Sequence, residues 1–472
     1  MPLNQVFSRF IEDAPLSVMV QGTLENIFHA DAINDLFERT AQTQYTRDLL
    51  FSTVMDTMTL VACGIYRSPH AVFQDNLDWF PVSVTSLYNK LKGVETVVSA
   101  ELVRYSSARL GDVVGALGGS LPTLLPGYVV KILDGNALAA TEHRLKETRD
   151  QSAAPLPGKS LVVLDPQQML ATDFFPCEDG HAQERSLLGE VLATIRAGEL
   201  WLEDRNFCTL GFLYGIERKK AFFLVREHKN LPWKAIGKLR WAGRSETGAV
   251  FEQTVRLEDD NGDVLFARRV VVQLDKPTRD GETEIALLSN VWDDKVSALQ
   301  LAELYRKRWT IEGLFLVLTE ALSCENPGMN YPKAALFGFC MALVAYNVLA
   351  LVKAALRVVH GVEVIEQTLS LYYVVTSLAR NYGGMMIAIP MQEWDGFRAL
   401  DAKALAAVLR ELAGHVDLAR YTKHPRGPKK PPPERHYDPK HPHMATAKIL
   451  EQRRQSEKRQ SSNPRQGGDS PP

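Results

Sequence analysis

Apolar residues recur at helical spacing from Phe10 to Phe37 and again from Leu49 to Gly64, with no strand-like alternation. The pattern predicts a helical first region over residues 1–120. Gly118-Gly119-Ser120, then Pro122, Pro126 and Gly127, punctuate the chain before its character changes. Tyr128-Val129-Val130-Lys131-Ile132-Leu133-Asp134 is a β-branched run that ends on an acid and meets Gly135-Asn136. It reads as a buried strand closing in a turn. Leu161-Val162-Val163-Leu164-Asp165 reads the same way. Helical spacing runs from about Gln183 to Arg196, and a third apolar run, Leu200-Trp201-Leu202-Glu203-Asp204, follows. Strands alternating with helices predict an α/β sheet across 121–225.

Strand patterns then dominate. Phe222 to Arg226, Ala249 to Arg256, Val264 to Gln273 and Glu284 to Leu288 qualify, and Asp259-Asp260-Asn261-Gly262-Asp263 has the composition of a hairpin turn. Residues 226–284 are therefore expected to form a β-rich insertion. Helical spacing returns from Val296 to Leu322 and from Ala334 to Val359, giving a second part of the core at 285–358. Shorter helices are expected over 359–415. Ala334 to Val352 is 19 residues long without a charge, but it contains Gly338, Tyr346 and Asn347. As a single segment of that kind it is expected to be a buried core helix rather than a membrane span.

Composition changes the picture at the end of the chain. The 472 residues carry a formal charge of −2 and are 45% hydrophobic, which excludes a collagenous, wholly disordered or disulfide-framework chain. From Arg420 to Pro472, however, 13 Lys and Arg face 5 Asp and Glu, and ten of the 25 prolines fall there. The excess of 8 leaves −10 for the rest, so near neutrality overall says nothing against a nucleic-acid partner. The tail, 416–472, has no apolar periodicity and reads as basic, Pro-rich and mostly disordered, able to lie along phosphates. Cys63, Cys177, Cys208, Cys324 and Cys340 are scattered without a C-x-x-C, as expected for reduced thiols and no zinc site. Arg9, Glu12 and Asp13 interrupt the N-terminus, which argues against a secretory signal and for a cytoplasmic protein.

Three acids stand where chemistry gathers. Asp134 and Asp204 each close a predicted buried strand, although an acid there can also simply start a turn or cap a helix. Tyr305, Arg308 and Glu312 lie in the predicted helix Val296 to Leu322. At ~100° per residue, Arg308 falls about 60° and Glu312 about 20° to one side of Tyr305, so all three share a face. A charged pair on an otherwise apolar helix needs partners if buried. The plainer alternative is an i,i+4 pair on a narrow solvated stripe.

In order and spacing these parts resemble the DDE transposases of the "insertion sequence four" family. The likeness covers about Val129 to Leu356. It rests on Asp134-Gly135-Asn136, on Asp204-Arg205-Asn206-Phe207, on the β-rich insertion, on Tyr305-x2-Arg308-x3-Glu312 within Glu303-Leu304-Tyr305-Arg306-Lys307-Arg308-Trp309, and on Ala345-Tyr346-Asn347. The family pattern has a Lys seven residues after the Glu. Here that residue is Thr319, and no Lys or Arg lies between Gly313 and Pro332.

The resemblance implies a ribonuclease-H-like α/β catalytic core carrying a β-rich insertion, flanked by helical N- and C-terminal regions. It implies that Asp134, Asp204 and Glu312 chelate two Mg²⁺ ions, with Mn²⁺ able to substitute, for hydrolysis at element ends followed by strand transfer. Such ions can activate water and stabilise the leaving oxygen. Tyr305, Arg308 and, beside Asp204, Arg205 would hold DNA phosphates. DNA, as terminal inverted repeats and target, is then the partner, bound by a homodimer in a nucleoid-associated bacterial setting, with the N-terminal helices binding ends. In related transposases the insertion can present an aromatic to a flipped base, for which Trp233, Trp241 and Trp292 are candidates beside a core-packing role. His143, Arg144 and Lys146 follow the first acid and have an ordinary surface role as the alternative. Thr319 keeps open a decayed DNA-end-binding protein without catalysis, and a non-transposing nuclease of the same fold is a further alternative.

Overall fold

The computed structural model describes residues 3–139, 156–259, 261–292, 294–326, 328–424 and 445–461. His143, Arg144 and Lys146 lie outside them. The protein is a mixed α/β fold with a central sheet flanked by N- and C-terminal helical regions, a topology consistent with ribonuclease H.

Among the described residues ten strands form the sheet: β1 Val129–Ala137, β2 Lys159–Asp165, β3 Leu170–Cys177, β4 Glu199–Glu203, β5 Phe222–Arg226, β6 Lys234–Ala235, β7 Arg240–Ser245, β8 Gly248–Glu258, β9 Val264–Leu274 and β10 Glu284–Ser289. The order is β3-β2-β1-β4-β5-β10-β9-β8-β6, with β7 also on β8. β1, β4 and β5 are parallel and the other pairings antiparallel. The strands of 226–284 thus continue the same sheet through β10 on β5.

Side chains alternate between two cores, as the two-residue strand period requires. Ile132, Val162, Leu164, Phe174, Leu200, Leu202 and Leu224 face the larger helical layer. Leu133, Leu161, Val163, Phe175, Trp201, Phe223 and Val225 face the smaller one, which includes helices Leu188–Thr194 and Leu210–Arg218. Pro332–His360 runs through the larger layer. Among the described residues it is the one helix long and apolar enough to cross a membrane, and its most apolar window is entirely buried inside the protein. Asn347 shows why a polar residue belongs there. It is fully buried, accepts from Ala171 N–H at 2.8 Å, and donates to Ala171 O and Ser106 Oγ, both at 2.9 Å. The side chain thereby pins β3 to two helices.

Four expectations need correction. The helix expected over Val296 to Leu322 is broken into Ala298–Arg306, a 3₁₀ turn Lys307–Trp309, and Thr310–Glu320. Apolar spacing over a single turn does not separate a three-residue turn from one of 3.6 residues. β3, β6 and β7 are strands that the apolar pattern does not predict; β3 is an edge strand, where Pro176 is tolerated and breaks the apolar run. Asp134 lies inside β1, three residues before its end. The basic tail contains a helix, Thr446–Ser461. Its anchor is local: Ala445, Thr446 and Ile449 are buried, Thr446 N–H donates to Leu156 O at 3.0 Å, and Lys448 pairs with Asp179 at 3.3 Å. Strong helix formers such as Glu, Gln, Arg and Lys extend it without an apolar stripe.

Candidate active site

β1 and β4 run side by side in parallel, with Leu133 opposite Glu203. Asp134 and Asp204 are therefore successors on neighbouring strands, whose spacing is ~4.8 Å. Leu133 packs into the smaller core, so Asp134 points to the other face. Asp204 begins the 3₁₀ turn Arg205–Phe207 without capping it through its side chain.

Arg308 joins the acids. It sits in the 3₁₀ turn, only 7% exposed, and its Nη1 donates to Asp134 Oδ2 at 2.8 Å. Its Nη2 lies 3.6 Å from Glu312 Oε1, one turn on, and that glutamate's side chain is half-exposed. Burial disfavours the guanidinium charge, but Tyr305, Asp134, Asp204 and Glu312 together outweigh it and hold the cation. Burial pushes the Asp134 carboxyl up to about 6; Arg308 and the Gly135 N–H oppose that, while Asp204 and Glu184 add to it. Tyr305 is buried at the end of its helix, and burial raises its phenol well above the ordinary range. Arg308 Nε is buried and finds no hydrogen-bond partner among the described residues, so the guanidinium is not fully used.

The structure thus brings Asp134, Asp204, Tyr305, Arg308 and Glu312 into one neighbourhood from three separate stretches of chain. Arg205 flanks it, half-exposed, with Nη1 donating to Glu282 Oε1 at 3.1 Å. Oxygen-only carboxylate donors are the chemistry that Mg²⁺ or Mn²⁺ takes. Among the described residues, however, no three His, Cys, Asp or Glu side chains converge as a ready metal cage. Arg308 lies among the acids instead.

Sequence reasoning missed three neighbours. Glu184 lies over β1, where a Cβ on Gly135 would come within 2.3 Å of its Oε1, so a larger residue there would displace that carboxylate from beside Asp134. Asp134-Gly135 was the available signal, though nothing in it names the partner. Arg226 and Glu282, at the same end of the sheet, form an ion pair with each other. Thr319, at the departure from the family pattern, donates its hydroxyl to its own helix at Phe315 O, 3.0 Å away. Trp233 is half-buried, with Nε1 donating to Glu227 at 2.7 Å and the Arg269 guanidinium over its ring. Trp241 is 70% exposed, and Trp292 is also exposed. Trp309, beside Arg308, is exposed as well.

Comparison with known proteins bears on this geometry. Residues 126–348 match the family described as Transposase DDE domain, and the match includes both aspartates and the Tyr-Arg-Glu set. A protein of Sinorhizobium fredii (strain NBRC 101917 / NGR234) named as the transposase y4zB is 31% identical over 166 residues, 34% of this chain. The chain spans 44% of that relative's length. A cryo-EM structure of the piggyBac transposase synaptic complex with hairpin DNA gives a loose likeness. It has a TM-score of 0.37 at 12% identity, covering 83% of this chain and 82% of that one. The chain contains a DDE-type transposase domain and is related to other transposases; the match is to that domain at large, not to its "insertion sequence four" branch.

Proposed function

We propose that this chain is the transposase of a bacterial insertion sequence, of the "insertion sequence four" kind, cutting DNA at the element ends and joining them to a target. The observation that carries the reading is Arg308 set between Asp134 and Glu312, next to Asp204, within a DDE domain. In this reading Asp134, Asp204 and Glu312 would hold Mg²⁺. When bound, the ions supply activation of water or a 3′-hydroxyl and neutralisation of the departing oxygen.

The chain's own residues do the rest. Arg308 is a planar fork held by Asp134 and Glu312, and exchanging its longer contact with the half-exposed Glu312 for a phosphate oxygen would give a charge-assisted hydrogen bond when DNA enters. Tyr305, whose buried hydroxyl has no hydrogen-bond partner among the described residues, would hold a phosphate beside it. Arg205 holds the backbone on the Asp204 side. Terminal inverted repeats and target DNA are the partners, with the DNA complex a homodimer and the chain nucleoid-associated. A second reading, an end-binding protein without catalysis, is favoured by one observation: the Thr319 hydroxyl is donated to its own helix.

The test uses purified full-length chain, Mg²⁺ and a duplex ending in the inverted repeats that flank the coding region. Nicking at the repeat boundary and end-to-target joining are expected, and both should vanish in Asp134→Asn. Cutting without joining would identify a nuclease. Binding without cutting, rescued by Thr319→Lys, would identify the second reading. Unimpaired cleavage by Asp134→Asn would sink the metal assignment.

A further inference from the structure

Two arginines at the acid end of the sheet share one carboxylate. Arg205 directly follows Asp204, and Arg226 ends β5, the parallel neighbour of β4. Glu282 comes from the loop between β9 and β10. Because β10 runs antiparallel to β5 with Leu287 opposite Arg226, residues before Leu287 project past the end of β5, toward Asp204. There Glu282 Oε1 accepts from Arg205 at 3.1 Å, and Oε2 accepts from Arg226. The field of Arg226 reaches Tyr305, so the pair adjoins the Asp134–Arg308–Glu312 group.

One guanidinium on each oxygen of a singly charged anion is the arrangement that two non-bridging oxygens of a phosphodiester would receive. We propose that Arg205 and Arg226 form a phosphate clamp for the DNA backbone beside the acid centre, and that Glu282 occupies it as an internal phosphate mimic until DNA arrives. The inference rests on the transposase reading and adds Arg226 and Glu282 to it.

The loop is built for the exchange. Glu282 belongs to a small turn of its own: Gly281 N–H donates to Thr278 O at 2.9 Å, Thr278 N–H to Glu282 O at 2.8 Å, and Glu282 N–H to Thr278 Oγ1 at 3.1 Å. Gly281 has φ of +81°, which such a turn accepts at little cost. Most residues from 275 to 283 are exposed. Glu282 can therefore rotate out while the β9–β10 ladder stays paired. The two arginines hold its carboxyl below the usual range, so it is charged at neutral pH and competes with phosphate as an anion.

A structural role, tying the hairpin turn to the sheet, would give a different result in a binding experiment. Full-length chain is titrated into a fluorescein-labelled duplex of arbitrary sequence, without divalent ions, and anisotropy is read. Glu282→Gln keeps the side-chain shape and an acceptor oxygen for one of the two arginines, and removes the competing charge. It is expected to bind about two- to fivefold more tightly than wild type at low salt, the equivalent of one released ion pair. Arg226→Gln should weaken binding, and the Arg226→Gln/Glu282→Gln pair should lose the gain. Asp275→Asn removes one charge from the same loop but faces Arg244, 2.7 Å away; it should change affinity by less than about twofold, as expected of an exposed pair. If Glu282→Gln unfolds the chain, Glu282→Ala replaces it with the same expectation. Unchanged or weaker binding by the folded Glu282 variant overturns the clamp, as does an equal gain in Asp275→Asn. A wild type that cuts ends while Glu282→Gln binds no better overturns only this inference. No DNA binding by any form overturns the transposase reading with it.

Discussion

Two arginines, 49 residues apart, meet acids in opposite ways. Arg357 lies on the unbroken helix Pro332–His360, its side chain wholly covered. Its Nε donates to Gly119 O at 2.9 Å and its Nη1 to Glu366 at 3.1 Å, while Lys353 meets the other oxygen of the same glutamate at 2.6 Å. Arg308 is nearly as buried but lies in a break between helices and shares a more exposed glutamate; each guanidinium keeps one buried nitrogen, Nε in Arg308 and Nη2 in Arg357, without a hydrogen-bond partner among the described residues. The Arg357 guanidinium is covered, while its partners Lys353 and Glu366 keep a partly exposed edge on a cavity also lined by Tyr346 and Lys423. The Arg308 group opens on solvent and can change partners. The two groups differ in degree of burial, with Glu366 30% and Glu312 48% exposed, and in backbone, an unbroken helix against a break between two.

The largest effect that would sharpen this contrast is functional. Asp134→Asn is expected to abolish end cleavage in a gel assay while thermal unfolding moves little, because the buried carboxyl is already pushed up to about 6 and a neutral side chain suits its site. A large loss of stability would place Asp134 with the Arg357 group instead.

Next is Glu366→Ala, which leaves Lys353 and Arg357 without their anion. Breaking a buried pair costs about 3–5 kcal/mol; Lys353 and Glu366 are partly exposed, so the lower part of that range is expected in urea unfolding. Lys353 and Arg357 hold the Glu366 carboxyl below its usual range against the opposing effect of burial. That stability is therefore present above the unfolded value, about 4.3, and is lost as pH falls through the lower folded value.

Asn347→Leu should cost about 1–3 kcal/mol by stranding Ala171 N–H, again read by urea unfolding. The smallest effect has the opposite sign. Glu203 is fully buried, neither carboxylate oxygen has a hydrogen-bond partner among the described residues, and burial raises its carboxyl well above the usual range. A group with a raised folded value binds its proton more tightly in the native state, so its penalty grows as pH rises above about 4.3. Glu203→Gln should melt higher than wild type at pH 8, by a few degrees at most, and the gap should close toward pH 4.

Much of this was legible beforehand, for physical reasons. β1, β2, β4 and β5 are buried on both faces, so their apolar runs are continuous and stand out. Asp134 and Asp204 were marked by ending such runs, and Tyr305, Arg308 and Glu312 by charge in an apolar helix pattern. Glu184, Arg226 and Glu282 were not legible, because each matters only through a neighbour distant in sequence. Glu282 meets Arg205 across 77 residues. The helix in the tail escaped notice because it buries only its first turn.

The 3₁₀ turn at Lys307–Trp309 also sets a phase. Such a turn advances about 120° and 2.0 Å per residue against 100° and 1.5 Å in an α-helix. Over three residues it therefore rotates Thr310–Glu320 by roughly 60° and lengthens the rod by about 1.5 Å relative to a straight helix. The offset enters the angle between Tyr305, before the turn, and Glu312, after it. Rewinding those three residues would swing the glutamate around the axis like a crank, changing the spacing of the acids without disturbing a single strand.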